Sequence, residues 1–198
     1  MVQFASGIEV PFPDKIKEEF EKRENAILFH ISFEKIRPLL ADFLRHIDEP
    51  VFLAIHLPLL EQEEKEIRDP DGYPLHDEIL YLDGCSRAEM EEILSKYGEV
   101  MLHDGLSQFA IASHTTKDEI FIQKYKIVCI YSKQIDNYTG LMKKYGISQT
   151  KTLVTAWDTF SEENPGACSS VTIDGKDMDD VVEELKQKGM YRAKIVKG

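Results

Sequence analysis

Apolar residues recur along this chain with two spacings, one typical of helices and one typical of strands. Helical spacing is clearest where residues three and four apart line one face: Ile36, Leu39, Leu40, Phe43, Leu44 and Ile47. A second helix is expected to begin at the capping box of Ser86 and Glu89 and to end at Gly98. A helix over 134–145 ends before Gly146. The last helix precedes Gly189 and has its apolar face on Met178, Val181, Val182 and Leu185.

Short apolar runs between turn residues predict the strands. They are AILFHIS, VFLAIHLPL, EILYL, EVMLH, SQFAIAS, EIFIQKYKIVCIYS, TLVTAW, SVTI and YRAKIV. The loop HTTKD is expected to join two of them as an antiparallel hairpin, and the continuous run VFLAIHLPL predicts a strand covered on both faces. PDKIKEEFEKREN reads as a short charged helix with Pro13 at its start, and EQEEKEIRDPDGYP as a long exposed loop.

This order of elements predicts an α/β (α+β) fold. We expect a mixed, largely antiparallel sheet with about four to five helices packed on its faces. A length of 198 residues suits a single globular domain over 1–198, in which 1–25 form an N-terminal arm or helix.

Charge and cysteine usage narrow the possible partners. The formal net charge is −12, which disfavours nucleic acid and anionic membranes and favours a basic protein partner. No run approaches the roughly 20 apolar residues of a membrane helix, and the N-terminus lacks the pattern of a signal peptide. Cys85, Cys129 and Cys168 form no disulfide or zinc pattern, so we expect free thiols and a cytoplasmic location.

One segment partly matches a calcium-binding loop. With Gly72 at the sixth position, the ligand positions three, five and twelve fall on Asp69, Asp71 and Glu78. The first ligand position is Ile67, which cannot bind calcium. An ordinary Asp-Pro-Asp-Gly turn is therefore the preferred interpretation, with these three acids kept as weak metal candidates.

Histidine and aspartate stand side by side at His103 and Asp104, a pair that could serve a metal-dependent hydrolase. His114 would lie at the far end of an intervening strand, so a site would need His30, His56 or His76 to converge. A plain turn at Asp104 and Gly105 is the preferred interpretation.

For two further residues, His56 and Cys85, both a structural and a reactive role can be considered. His56 is flanked by apolar residues and is expected to be a satisfied core or edge histidine. Cys85 precedes a helix cap, where a thiol pKa can fall, but no base is identifiable beside it.

The segment AWDTFSEENPGACSS offers the strongest candidate binding surface. It holds the only tryptophan, Trp157, followed along the loop by Asp158, Phe160, Glu162 and Glu163. An aromatic residue beside carboxylates is suited to recognising a basic partner. The preferred interpretation of the segment alone is nevertheless a core tryptophan at a strand end, followed by a solvated acidic loop.

Two functions follow as hypotheses. The first is a non-catalytic binding protein that engages a basic protein through an acidic surface, as immunity proteins do, by analogy of charge and size alone. The alternative is a metal-dependent hydrolase using His103, Asp104 and another histidine. No GxSxG, Walker or GxGxxG pattern occurs, so catalysis is the less favoured hypothesis and no cofactor is expected; the oligomeric state stays open.

Overall fold

A computed structural model of the chain describes residues 1–67 and 75–197. Within them are five α-helices: α1 (Phe33–Leu44), α2 (Glu61–Ile67), α3 (Arg87–His103), α4 (Thr139–Lys144) and α5 (Met178–Gln187). The described strands are β1 (Ile8–Glu9), β2 (Glu19–Lys22), β3 (Ala26–Phe29), β4 (Val51–Pro58), β5 (His76–Cys85), β6 (Gln108–Ser113), β7 (Glu119–Ile122), β8 (Val128–Tyr131), β9 (Ser148–Thr150), β10 (Ala167–Cys168) and β11 (Tyr191–Lys197).

Nine of these strands form one mixed sheet in the order β11-β5-β4-β6-β7-β8-β3-β2-β9. Every neighbouring pair is antiparallel except β2 and β9, which run parallel. β1 and β10 form a separate antiparallel pair. The predicted α/β class with a largely antiparallel sheet is confirmed, as is the hairpin between β6 and β7.

The helices and one face of the sheet share a single hydrophobic core. In β4, for example, Leu53 and Ile55 join that core, together with the apolar residues of α1, α3, α4 and α5. Phe52, Ala54 and His56 alternate with them and face the other side, as the two-residue period of a strand requires. The core helices therefore cover one face of this strand, while on its other face Ala54 is buried and Phe52 and His56 are half-buried.

Helix α3 is longer than its sequence indicates. Gly98 does not end it, and the segment EVMLH continues the helix rather than forming a strand. Val100, Met101 and Leu102 are buried, so the last turns are stabilised by packing, which outweighs the roughly 1 kcal/mol cost of a helical glycine. The nearest neighbour of a Cβ added at Gly98 would be Arg37 of α1, 4.0 Å away.

Other departures occur where the polar pattern misleads. The predicted charged helix is instead a 3₁₀ turn at Pro13–Lys15 followed by β2, which pairs with β3 and β9. The predicted loop EQEEKEI forms α2. TLVTAW contains the 3₁₀ helix Ala156–Thr159 rather than a strand, and SVTI contributes only an isolated bridge between Ile173 and Lys176.

A second, smaller core closes one end of the sheet. It contains residues from the N-terminus, from the β7–β8 connection and from the 3₁₀ helix, namely Val2, Ala5, Ile8, Ile16, Tyr125 and Ala156. We call this end, where β4 finishes and β5 and β6 begin, the arm end. Gly7 and Gly105 meet there: their backbones bond to Ser169 from either side, at 2.9 Å each. A Cβ on Gly7 would collide with backbone atoms of Ser169 and Gly105, and a Cβ on Gly105 would collide with the backbone of Gly7.

Candidate functional site

Trp157 lies at the arm end on a base of aromatic rings. Its ring meets Tyr125 edge to face at 4.8 Å between centroids and Phe160 at 5.4 Å, and Tyr125 meets Phe160 at 4.9 Å. Tyr125 is buried, yet Trp157 remains 52% exposed. The trio thus holds a large apolar side chain at the surface in a fixed orientation, which is the property of a binding anchor.

Asp158 is occupied within its own turn. Its Oδ2 accepts hydrogen bonds from the backbone N and the hydroxyl of Thr155, both at 2.7 Å, in a capping box that starts the 3₁₀ helix. These bonds lower the pKa of the Asp158 carboxyl. Its charge contributes to the local field, while its geometry positions Trp157.

Glu162 and Glu163 follow on a tight loop. Reciprocal backbone bonds join Ser161 and Asn164, and Phe160 packs directly over Gly166. Both glutamates are exposed and form no ion pair with any described residue. From 152 to 175 the sequence has four acidic residues and no lysine or arginine. The residues that the sequence suggested thus lie on one short segment, 157–163, in which Asp158 caps the 3₁₀ helix.

His103 and Asp104 do not form a joint site. The ring of His103 packs against Phe33, and its Nδ1 lies 2.9 Å from the Ser6 hydroxyl of the N-terminal arm. Asp104 ends α3 and turns the other way, where its Oδ2 accepts backbone hydrogen bonds from Leu106 and Ser107 at 3.0 and 2.6 Å. The predicted turn at Asp104 is thus present, and the carboxylate stabilises it.

A buried lysine that the sequence does not reveal lies directly beneath this turn. Lys126 donates to the backbone oxygens of Met101, Asp104 and Ser107, at 3.2, 2.7 and 3.4 Å. Burial lowers its pKa to about 8. The ammonium satisfies carbonyls that the end of α3 leaves unpaired, so its role is that of a C-terminal helix cap.

His30 is a further buried ionisable group at the arm end, in addition to Asp104 and Lys126. Neither ring nitrogen has a hydrogen-bond partner in the described structure, and Phe4 of the arm packs against its ring at 6.0 Å. Burial lowers the pKa of His30 to about 4, while the nearby charge of Asp158 opposes this shift. His30 is therefore neutral at physiological pH.

Of the three acidic residues in the predicted calcium loop, only Glu78 lies among the described residues, and its carboxylate already has a partner. Glu78 is buried in β5 and accepts a hydrogen bond from Nε of Arg192 at 2.5 Å. Asp69 and Asp71 lie outside the described residues. Among the residues described here, no group of three or more histidine, cysteine, aspartate or glutamate side chains could hold a metal ion.

His114, His56 and Cys85, also considered from the sequence, are each held in local contacts. His114 lies at the opposite end of β6 from His103 and bonds Asp83 at 2.9 Å, as the strand length predicts. His56 packs against Phe121, and burial lowers its pKa. Burial, with Glu89 and Asp83 nearby, raises the pKa of Cys85, which disfavours a reactive thiolate.

Three aspartates at the arm end could not have been grouped from sequence. Asp104 shares a cavity with Asp177 and Asp179 from the start of α5, more than 70 residues further along the chain. The capping box of Asp177 and Asp180 predicts the start of this helix, but nothing in it indicates that α5 begins beside α3.

The chain matches no known family model, no curated protein sequence and no solved structure. Over residues 1–67 and 75–197, no helix is long and apolar enough to cross a membrane.

Proposed function

We propose that this chain is a non-catalytic binding protein that engages a basic protein through the acidic surface at the arm end. The observation that carries the proposal is a half-exposed tryptophan packed against Tyr125 and Phe160, on a segment that continues to two exposed glutamates without an ion pair to any described residue. Interfaces concentrate their binding energy in such aromatic anchors.

Electrostatics support a basic partner over other classes. A net charge of −12 and a 24-residue stretch with four acidic residues and no lysine or arginine favour a negative potential around Trp157. This potential attracts cationic proteins and repels nucleic acid and anionic membranes. A cytoplasmic location belongs to the same proposal, in keeping with three cysteines that are all free.

A charge-matched pair of variants tests the surface. Glu162→Lys with Glu163→Lys reverses two charges on the loop, whereas Glu91→Lys with Glu92→Lys makes the same change in net charge on α3. The immobilised proteins are incubated with lysate of the native cell at about 50 mM and about 500 mM salt, and the bound proteins are quantified by mass spectrometry.

The expected result is one basic protein bound in stoichiometric amount at low salt and released at high salt, because screening lengths fall from about 14 to about 4 Å. The loop variant should bind it at least tenfold less, and the α3 variant within twofold of the original chain. Equal losses in both variants would show only a dependence on net charge and would remove the Trp157 loop from the proposal.

A further inference from the structure

The first nine residues of the N-terminal arm lie against two histidine side chains. Phe4 packs on the ring of His30, with the ring centroids 6.0 Å apart. The backbone N of Ser6 donates a hydrogen bond to Nδ1 of His103 at 3.3 Å, and the Ser6 hydroxyl lies 2.9 Å from the same nitrogen. Two imidazole rings thus contact the arm at neighbouring positions along its chain.

His30 has no hydrogen-bond partner in its buried position. The side chain is 0% exposed, and neither Nδ1 nor Nε2 has a partner among the described residues. A protonated ring would carry a positive charge and two N–H donors that nothing accepts, which is far more costly to bury than the neutral ring. The charge of Asp158, on the 3₁₀ helix, opposes this cost, but its Oδ2 already accepts two hydrogen bonds from Thr155. The docked arm therefore favours a neutral His30.

His103 contacts the arm through an acceptor that protonation would remove. Its Nδ1 must carry no proton while it accepts the N–H of Ser6. Beyond the ring, Nε2 lies 3.7 Å from one carboxylate oxygen of Glu99, whose other oxygen accepts a hydrogen bond from Arg37 at 3.2 Å. The carboxylate of Asp104, the next residue, accepts backbone hydrogen bonds from the following turn instead. Glu99 would thus stabilise a protonated ring, in which the hydrogen bond from Ser6 is lost.

The arm packs in a core of its own, which allows it to separate without unfolding the sheet. Its buried residues Val2, Ala5 and Ile8 belong to the smaller core. The large core, shared by the sheet and the helices, contains no described residue before Phe20. Proteins open locally in such units, at a lower free energy than global unfolding requires.

We propose that the arm is an acid-released latch. It is docked while His30 and His103 are neutral, and it separates from the rest of the chain when they take up protons, while the sheet and its helices stay folded. Separation would uncover Tyr125, against which Trp157 packs. The inference concerns the arm alone and holds whether or not the chain binds a basic protein.

The size of the effect follows from His30. Burial lowers its pKa to about 4, and release of the arm would return it to the ordinary 6.5. Between these values the open state binds a proton that the closed state does not, so a falling pH favours opening. From pH 7 to pH 5 the ratio of open to closed arm should rise about 20-fold through His30 alone.

Amide hydrogen exchange of the full chain measures the opening of the arm. Exchange is followed by mass spectrometry at pH 7 and pH 5, with and without about 1 M urea, and the rates are corrected for the intrinsic effect of pH. Protection of the amides in 2–8 should fall at least tenfold from pH 7 to pH 5 and should change less than twofold with urea, because local opening exposes little surface. The amides of β4 should respond more than tenfold to the same urea, since they exchange on global unfolding.

Substitutions at the two histidines assign the effect. His30→Phe removes the buried titrating ring, and His103→Asn retains an oxygen that can accept the N–H of Ser6 but does not titrate. Each should reduce the effect of pH on the arm, and the double variant should lower it to less than threefold. His114→Asn, beyond the other end of β6, should leave the effect within twofold of that in the original chain.

Two results would overturn the latch. If the arm and β4 respond equally to urea at pH 5, the arm opens only when the whole chain unfolds. If the double variant retains the full effect of pH, other groups cause the opening. The urea comparison uses the original chain alone, so it decides the question even if His30→Phe fails to fold. Neither result depends on whether the Trp157 loop captures a basic protein.

Discussion

The ammonium of Lys126 donates a hydrogen bond to the backbone oxygen of Asp104, across the end of α3. This contact stabilises the turn between α3 and β6, in which the Asp104 carboxylate accepts backbone hydrogen bonds from Leu106 and Ser107. It links a buried ammonium on the β7–β8 connection to the end of α3.

Replacing Lys126 with Met should destabilise the protein. Three backbone oxygens, at the end of α3 and in the turn before β6, would lose the Lys126 donor, at a cost of about 1–3 kcal/mol in the free energy of unfolding. Urea denaturation at pH 7 measures the difference. Lys124→Met removes a neighbouring, partly exposed ammonium and is expected to change stability by less than about 0.5 kcal/mol. A stable Lys126→Met protein would show that the cap is dispensable.

His30 should make the protein sensitive to acid. Its pKa falls from the ordinary 6.5 to about 4 on folding, so between these values the unfolded chain binds more protons than the native chain. Stability is then complete above pH 6.5 and declines by about 3 kcal/mol as the pH falls to 4. His30→Phe should remove this part of the pH dependence in denaturation curves at pH 7, 5.5 and 4, whereas His46→Phe, at an exposed histidine, should retain it. Parallel curves for the original and His30→Phe proteins would contradict the assignment.

The only tryptophan reports on the charge of its surroundings. Caesium ions should quench the fluorescence of Trp157 at least twofold more efficiently than iodide ions at equal, low ionic strength, because the adjacent carboxylates attract cations and repel anions. In Glu162→Gln with Glu163→Gln the difference should shrink, and in Glu91→Gln with Glu92→Gln it should persist. Equal quenching by both ions in the original protein would mean that the potential at Trp157 is not negative.

The meeting of Gly7 and Gly105 leaves no room for a side chain. Gly105→Ala should destabilise the protein by about 1–3 kcal/mol, because its Cβ would strike the backbone of Gly7 and separate the arm from the end of α3. Gly140→Ala, in α4 with nothing within 4 Å of the added carbon, should be neutral or slightly stabilising. Thermal denaturation of both variants checks the contrast, and equal melting temperatures would show that the junction is easily rearranged.

Local sequence signals were sufficient to predict a helix end where a capping box or a glycine in the left-handed conformation marks it. The Ser86–Glu89 capping box predicts the start of α3, and the reciprocal bonds between those residues are present. Gly189, at a φ of 105°, ends the α5 region as a glycine in the left-handed conformation can. By contrast, Gly98 is a misleading stop signal, because burial of Val100, Met101 and Leu102 sustains the helix beyond it.

The residues discussed for the candidate site also fall into two groups, those that local sequence indicates and those that only packing brings together. Trp157, Glu162 and Glu163 are close in sequence, so their shared loop and its acidity could be read directly from the chain. Asp104, Asp177 and Asp179 are distant in sequence, and no periodicity relates the end of α3 to the start of α5. Lys126 is similar, since its buried position depends on three backbone carbonyls that only packing brings to it.

By itself, the sequence determined the mixed α/β class, most helices and strands, the acidic charge and the loop around Trp157, because these depend on periodicity, capping and composition over neighbouring residues. Only the tertiary structure decided that the core helices share one face of the sheet, that the N-terminal residues close the arm end, and that three aspartates meet in one cavity. Those features depend on contacts between segments far apart in the chain, whose free energy has no local signature in the sequence.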